Sequence, residues 1–491
     1  MNNDYNSDYT IRMPREKLIA MIAIPVAAVI ILALIFYNFI HIYREYDIAP
    51  GCTTSGGHYK QCRICGDVVQ LSEQEPTGHK PATKVVKEPT AATNGEKETR
   101  CTVCQQLMSL EKTPAKLSPI PSLRLIGRGA GMTDKNSISA TFTYTDGVED
   151  EIVEAAKSGG NLKVRLMNSG ERVDAKHSYV LTDFHVSEGD QLLFGDFGDS
   201  KEINLYANND DPTFARRIIT YRQWKDLVSE LYPEYGKYIK VSDDTEYAGY
   251  NMLLYIKSTK PDYSFAGIYT LSIPYSILAE KNQSADTKYV VRQKMTKDSE
   301  TQEYSSQYEY LFGNETEKDT AISSLSTFLD AKSGYLASDE KNAILTDYFV
   351  FSLITGNIDA FADLYWVTSD GNMWYPVPAN TEHSYGCSWY TTQLSETSIF
   401  LSDFGDFWDA FFEKNYSDIK SRYRELKETR LSPSNIETEF HRAITKLDIE
   451  VYKEDAATYG APYNNPLDEA GKLYSWYRER ITVLDGFFSN K

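Results

Sequence analysis

At 491 residues, with 41% hydrophobic and 25% charged positions, the chain exceeds one ordinary domain and has the balance of a globular protein, which excludes a disordered class. Its formal net charge of −19 excludes nucleic acid as a partner, because phosphate binding needs a surplus of Lys and Arg. A local basic pocket is compatible with that total.

The first element in chain order is an apolar run at residues 18–42, LIAMIAIPVAAVIILALIFYNFIHI, which holds no Asp, Glu, Lys or Arg. Its length predicts a helix crossing a bilayer, and Pro25 is tolerable in such a helix. Arg12, Arg15 and Lys17 crowd one flank, whereas Arg44 on the other is offset by Glu45 and Asp47. The positive-inside rule therefore predicts a cytoplasmic tail at residues 1–17 and an extracytoplasmic chain after residue 43. The run is too long for the apolar core of a signal peptide and no small-x-small cleavage site follows, so an uncleaved single-pass anchor at the cell membrane is expected.

Residues 43–115 form a cysteine-rich module and linker. Two stretches align without a gap, TSGGHYKQCRIC (54–65) and TNGEKETRCTVC (93–104), each ending in Cys-x-x-Cys. Units this small cannot bury a core, so cross-linking by metal or disulfide is the route to order. Two knuckles predict a zinc site at Cys62, Cys65, Cys101 and Cys104; one knuckle with Cys52 and His79 gives the alternative set Cys52, Cys62, Cys65 and His79. Outside the cell disulfides compete with zinc, and the sequence leaves both open. The module resembles short Gly-His and Cys-x-x-Cys repeats of bacterial cell-surface proteins, in which a pair such as Gly78 and His79 closes a unit, and Ala91 stands in the second copy where the first has Cys52. A spacer or adhesive role is expected for it.

Residues 116–491 predict a mixed α and β domain. SISATFTYT (137–145), NLKVRLMN (161–168), NMLLYIKS (251–258) and FAGIYTLSIP (265–274) have the β-branched and aromatic content of strands, and GNMWYPVP (371–378) follows a Gly-Asn turn. Beyond residue 320 the spacing turns helical in DEKNAILTDYFVFSLITG, which stops at Gly356, in SDIKSRYRELKETRLSP and in EAGKLYSWYRERITVLDGFF. A β-rich half followed by a helical half predicts two lobes with a ligand cleft between them.

Three stretches, INLYANNDDPTFARRIITY (203–221), DYFVFSLITGNIDAFADLYWV (347–367) and NMWYPVPANTEHSYG (372–386), in this order and spacing, resemble the CotH family of spore-coat kinase-like proteins over roughly residues 120–480, with a helical tail at ETRLSPSNIE. The resemblance implies an α+β, atypical protein-kinase-like two-lobed fold that binds ATP with Mg2+ or Mn2+ and phosphorylates Ser or Thr of coat or cell-envelope proteins. Asp359 matches the family's catalytic Asp, accompanied by Asn357. On the same resemblance Arg165, Lys176 and Arg216, or its neighbour Arg217, meet the nucleotide, and Asn380 and Glu382, with Asp363, hold the metal. In-line phosphoryl transfer needs such groups: a carboxylate for the attacking hydroxyl, and metal and cations for the phosphates.

The chain departs from the family at the metal turn. Pro378 is retained, but Ala379 replaces Trp, Asn380 replaces the first Asp and Glu382 the second, and Ser272 stands where a Glu is common. An amide oxygen and one carboxylate still bind a hard cation, with less charge. The expected function is thus a membrane-anchored extracytoplasmic kinase or, alternatively, a degenerate pseudokinase acting as a binding or structural envelope protein. No Gly-x-Ser-x-Gly or His-Glu-x-x-His supports a hydrolase. Asp-Phe-Gly occurs at residues 196–198 and 403–405, but no His-Arg-Asp-x-x-x-x-Asn precedes either, so one reads as a turn and the other as the start of a helix. The Gly-rich IGRGAG (126–131) lacks a Walker ending and reads as a loop.

Overall fold

The computed structural model describes residues 14–39, 41–127, 132–147, 157–167, 176–189, 201–231, 249–258, 262–275, 287–297, 304–330, 339–388 and 405–490. The copies of Asp-Phe-Gly and most of IGRGAG fall outside these residues, apart from Gly405 and the flanking Ile126 and Gly127. Two compact units result, residues 1–88 with 95–113, and residues 89–94 with 114–491.

The first unit begins with helix α1 (Arg15–Phe39), whose apolar side chains are exposed over a stretch, Arg15–Ile35, long and apolar enough to cross a membrane. Six strands follow: β1 (Tyr43–Ile48), β2 (Gly56–Cys62), β3 (Val68–Gln74), β4 (Pro81–Lys87), β5 (Gly95–Cys101) and β6 (Leu107–Thr113). They make two three-stranded antiparallel sheets, β1-β2-β3 and β4-β5-β6. Strands β3 and β4 are exposed along their whole length. Among the described residues of this unit, the buried apolar side chains are those of Cys52, Cys62 and Cys101, so sulfur occupies the place where a larger domain would have Leu or Val.

The second unit opens with β7 (Ser122–Ile126), β8 (Ile138–Thr145), β9 (Lys157–Leu166), β10 (Tyr179–Val186), β11 (Glu202–Tyr206), helix α2 (Arg216–Leu231), β12 (Tyr250–Lys257) and β13 (Ser264–Ser272). Its strands close into a barrel in the order β10-β11-β13-β12-β7-β8-β9. Alternate residues of β7, β8 and β9, such as Leu123, Phe142 and Leu162, are buried, the period-two pattern that fills a barrel interior, while β11, β12 and β13 bury consecutive residues and are covered on both faces. Next come β14 (Tyr289–Lys297), β15 (Tyr304–Phe312), helices α3 (Lys318–Leu329) and α4 (Asp339–Thr355), β16 (Asp363–Thr368) and β17 (Tyr375–Pro378), in a four-stranded sheet ordered β15-β14-β16-β17. Helices α5 (Asp406–Glu428), α6 (Pro433–Ile444), α7 (Ile449–Thr458) and α8 (Pro466–Asn490) complete the unit.

Aromatic packing joins sheet to helices: Trp408 of α5 stacks on Trp366 of β16 at 5.9 Å and on Tyr348 of α4 at 5.5 Å. Phe407, Trp408, Phe411 and Phe412 are all buried, so the residues after the second Asp-Phe-Gly begin an amphipathic helix. Gly405, with φ of 89°, is its N-cap and Asp406 its first residue. Segment 89–94 belongs to this unit: the Tyr255 hydroxyl donates to the carbonyl of Ala92 at 2.8 Å, and the hydroxyls of Thr90 and Thr93 donate to Glu454. Ala91, which replaces a cysteine in the repeat, is buried here.

Candidate functional site

Three segments of the second unit converge: the start of α2, the turn from α4 to β16, and the chain after β17. Helix α4 ends at Gly356, whose φ of +60° is the left-handed stop that glycine allows. Beyond it the Asn357 side chain accepts from the backbone N–H of Asp359 at 3.0 Å, and the Asp359 carbonyl accepts from Asp363 N–H at 2.7 Å. This tight turn is tied to the next segment by Ile358 N–H to His383 carbonyl, 3.1 Å, and by Tyr385 N–H to Thr355 carbonyl, 2.7 Å.

The turn sets Asp359 Oδ2 2.6 Å from Nδ1 of His383, while Nε2 of His383 lies 4.0 Å from Asp210. Desolvation opposes protonation of His383, but Asp210 and Asp359 outweigh it, and the ring is pushed up to about 10. That folded value stands above the usual 6.5 or so, so its stabilisation is complete below about 6.5 and lost as pH rises through about 10. His383→Gln is expected to be less stable than the parent at pH 7, by roughly 2–4 kcal/mol. The gap should shrink toward pH 10, read from urea midpoints across the range; a gap independent of pH would show that His383 carries no charge.

Asp363 is held by Arg292 at 2.7 and 2.8 Å and receives the Asn380 amide at 3.0 Å. Glu382 pairs with Arg217, whose guanidinium lies 3.7 Å above the ring of Tyr206. The second carboxylate oxygen of Glu382 is buried with no hydrogen-bond partner among the described residues. Tyr206, Asp210, Arg217, Arg292, Asn380 and Glu382 border a cavity of about 510 Å³, which Tyr275 and Tyr365, stacked at 4.6 Å, also line. Asp363 stands one contact behind this wall, through Asn380, and Asp359 stands two behind it, through His383 and Asp210.

Thus Asn380, Glu382, Asp363 and Asp359 gather in one place. Of the expected cations Arg217 joins them, whereas Arg165, Lys176 and Arg216 do not. Arg216 is fully buried, with its guanidinium 2.6 Å from Asp211, and Arg217 takes the cavity position, because successive helical residues point about 100° apart. Arg165 lies on β9, half-buried and 3.9 Å from Glu202. Lys176 is buried against Asp455 at 2.7 Å and the Ile268 carbonyl at 2.6 Å; burial lowers its pKa and Asp455 opposes the shift. Gly267, φ +120°, leaves room for that pair, since a Cβ there would come 2.3 Å from Asp455 Oδ1. Lys176 lines a second cavity of about 650 Å³ that shares Ala207, Asn208 and Asn209 with the first. His383, Arg292, Tyr206 and Asp210 escaped the sequence reading; no spacing motif links them, and the acidic turn NDDP was the one trace of Asp210.

In the first unit the knuckles do not meet each other. Cys52, His79, Cys101 and Cys104 gather with ligand atoms within 4.8 Å of one another, as do His41, Cys62 and Cys65, and both groups could hold a metal ion. Neither set expected from the sequence forms. The register explains this: β1 pairs with β2 as Tyr43↔Cys62 and β4 with β5 as Pro81↔Cys101, so each knuckle takes the His preceding its own sheet.

Comparison with curated proteins and with solved structures gave no match. A family model described as CotH kinase protein matches residues 164–484, which takes in the second-unit residues of the cavity and the Asp359 turn. The match spans more than half of the sequence, and the chain belongs to the CotH family.

Proposed function

We propose that this CotH-family chain is a membrane-anchored kinase, its tail cytoplasmic and its main domain outside, that moves phosphate from ATP to Ser or Thr of surface or coat proteins. The observation that carries the reading is Asp359, fixed by its turn and by His383 behind the Asp210 wall of a cavity that presents Arg217, Arg292, Asn380 and Glu382. A cavity of about 510 Å³ is within the usual range for small-molecule sites. The donor set fits a hard divalent cation, because Glu382 keeps one buried carboxylate oxygen unpartnered and Asn380 adds an amide oxygen. Bound nucleotide with Mg2+ or Mn2+ would supply the phosphoryl group and neutralise its oxygens. The protein's own part is to orient the attacking hydroxyl at Asp359 and to offer Arg217 and Arg292 to phosphate oxygens.

A second reading, a pseudokinase that binds envelope partners, is favoured by one observation: Asp363 and Glu382 already have arginine partners. The full chain in detergent with γ-labelled ATP and Mg2+ or Mn2+ separates the two. Label on Ser or Thr of the chain or of envelope proteins supports the kinase; no label and no nucleotide-dependent thermal shift leaves the pseudokinase.

A further inference from the structure

We infer that Cys52, His79, Cys101 and Cys104 bind one zinc ion that staples the loop of the first repeat to the second repeat. The two sheets of the first unit repeat one construction. His41 and His79 each stand two residues before the strand residue that pairs with the first knuckle cysteine. Arg63 N–H bonds the Ile42 carbonyl at 2.8 Å in one copy, and Thr102 N–H bonds the Lys80 carbonyl at 2.9 Å in the other. His41 Nδ1 lies 3.3 Å from Cys65 Sγ, and His79 Nδ1 lies 3.4 Å from Cys104 Sγ. Backbone N–H groups also reach the inner sulfurs: Ile64 to Cys62, and Val103 and Lys80 to Cys101, each at 3.4 Å. Such donors favour the thiolate that a metal requires.

The copies differ in the fourth ligand. Cys52, on the β1–β2 loop, reaches forward to the next repeat, 3.6 Å from Cys101 Sγ. Tetrahedral zinc with bonds of about 2.3 Å to sulfur and 2.0 Å to nitrogen sets sulfurs about 3.8 Å apart and sulfur from nitrogen about 3.5 Å apart, close to both spacings. The first group, His41, Cys62 and Cys65, has no preceding repeat to lend a cysteine, because α1 precedes it. The corresponding loop of the second copy has no following repeat, and there Ala91 replaces the cysteine. Five cysteines in this unit, an odd number, and a histidine in each group do not suit a disulfide framework, whereas three sulfurs and one nitrogen suit zinc. With no large apolar side chain buried among the described residues of the unit, the ion supplies the missing core.

The test is metal analysis of the full chain, purified in detergent with reductant and metal-free buffer, then titrated with Zn2+ and, separately, Co2+. One ion resistant to a mild chelator is expected, with the Co2+ form showing tetrahedral thiolate bands. Cys52→Ala and His79→Ala, neither in a knuckle, should each lose the resistant ion, while Cys62→Ala should keep it. His79→Cys should keep it with altered Co2+ bands, which distinguishes ligation from folding. Retention of the ion in both Cys52→Ala and His79→Ala would overturn the assignment, as would a metal-free chain whose Cys52 and Cys101 are disulfide-linked by mass spectrometry.

Discussion

Asp359→Asn is expected to lower phosphate incorporation roughly 10²–10⁴-fold, the span usual for loss of a positioned acid or base, and to lower the thermal midpoint as well, because His383 loses one of its two charged partners. The amide keeps the size of the carboxylate and can still accept from Nδ1 of His383, which now lies 2.6 Å from Asp359 Oδ2. It cannot take a proton from a hydroxyl. The backbone bonds of the turn do not involve the Asp359 side chain, so the geometry should survive. Incorporation unchanged in Asp359→Asn would make this residue a turn residue alone and leave the kinase reading without its base.

Asp211→Ala is expected to destabilise the second unit by about 3–5 kcal/mol, the cost of stripping one partner from a buried pair. Asp211 accepts from the N–H and hydroxyl of Thr213, from the N–H groups of Ala215 and Arg216, and from the guanidinium of Arg216. It therefore caps α2 and neutralises a fully buried arginine at once. Arg216→Met should cost less, because the carboxylate left behind keeps four other donors. Chemical denaturation of both variants orders the pair. If Arg216→Met proves the more destabilising, the arginine and not the carboxylate anchors this turn; if it removes activity at full stability, Arg216 acts on a ligand.

How far the sequence spoke depends on the kind of information each feature needs. Local periodicity placed the span at residues 18–42 against a helix at Arg15–Phe39, and SISATFTYT against β8. Gly356 ended its helix as expected, because a glycine stop is a property of one residue. Closure of seven strands into a barrel was not legible, since the parallel pairing of β7 with β12, Leu123 beside Leu254, joins stretches far apart in the chain. The same holds at the site. Asp359 and its turn are one stretch of sequence, but its contact with His383 needs two segments in register. Arg292 reaches Asp363 because β14 pairs with β16. The knuckles were legible as chemistry, and their partners were not, because alignment shows which residues correspond and not which ones meet.

The segment at residues 89–94 has a consequence for dissecting the protein. The hairpin Gly95–Thr113 departs from the second unit at Asn94 and the chain returns at Pro114, so it is an insertion and not a bead on a string. A globular fragment begun at residue 115 would lose the strap that gives Tyr255 its carbonyl acceptors and Glu454 two hydroxyl donors. A proteolytic nick within 89–94 would loosen the same strap in the intact chain. The natural excision point lies upstream of Pro89, and any fragment that keeps the strap carries the second knuckle with it.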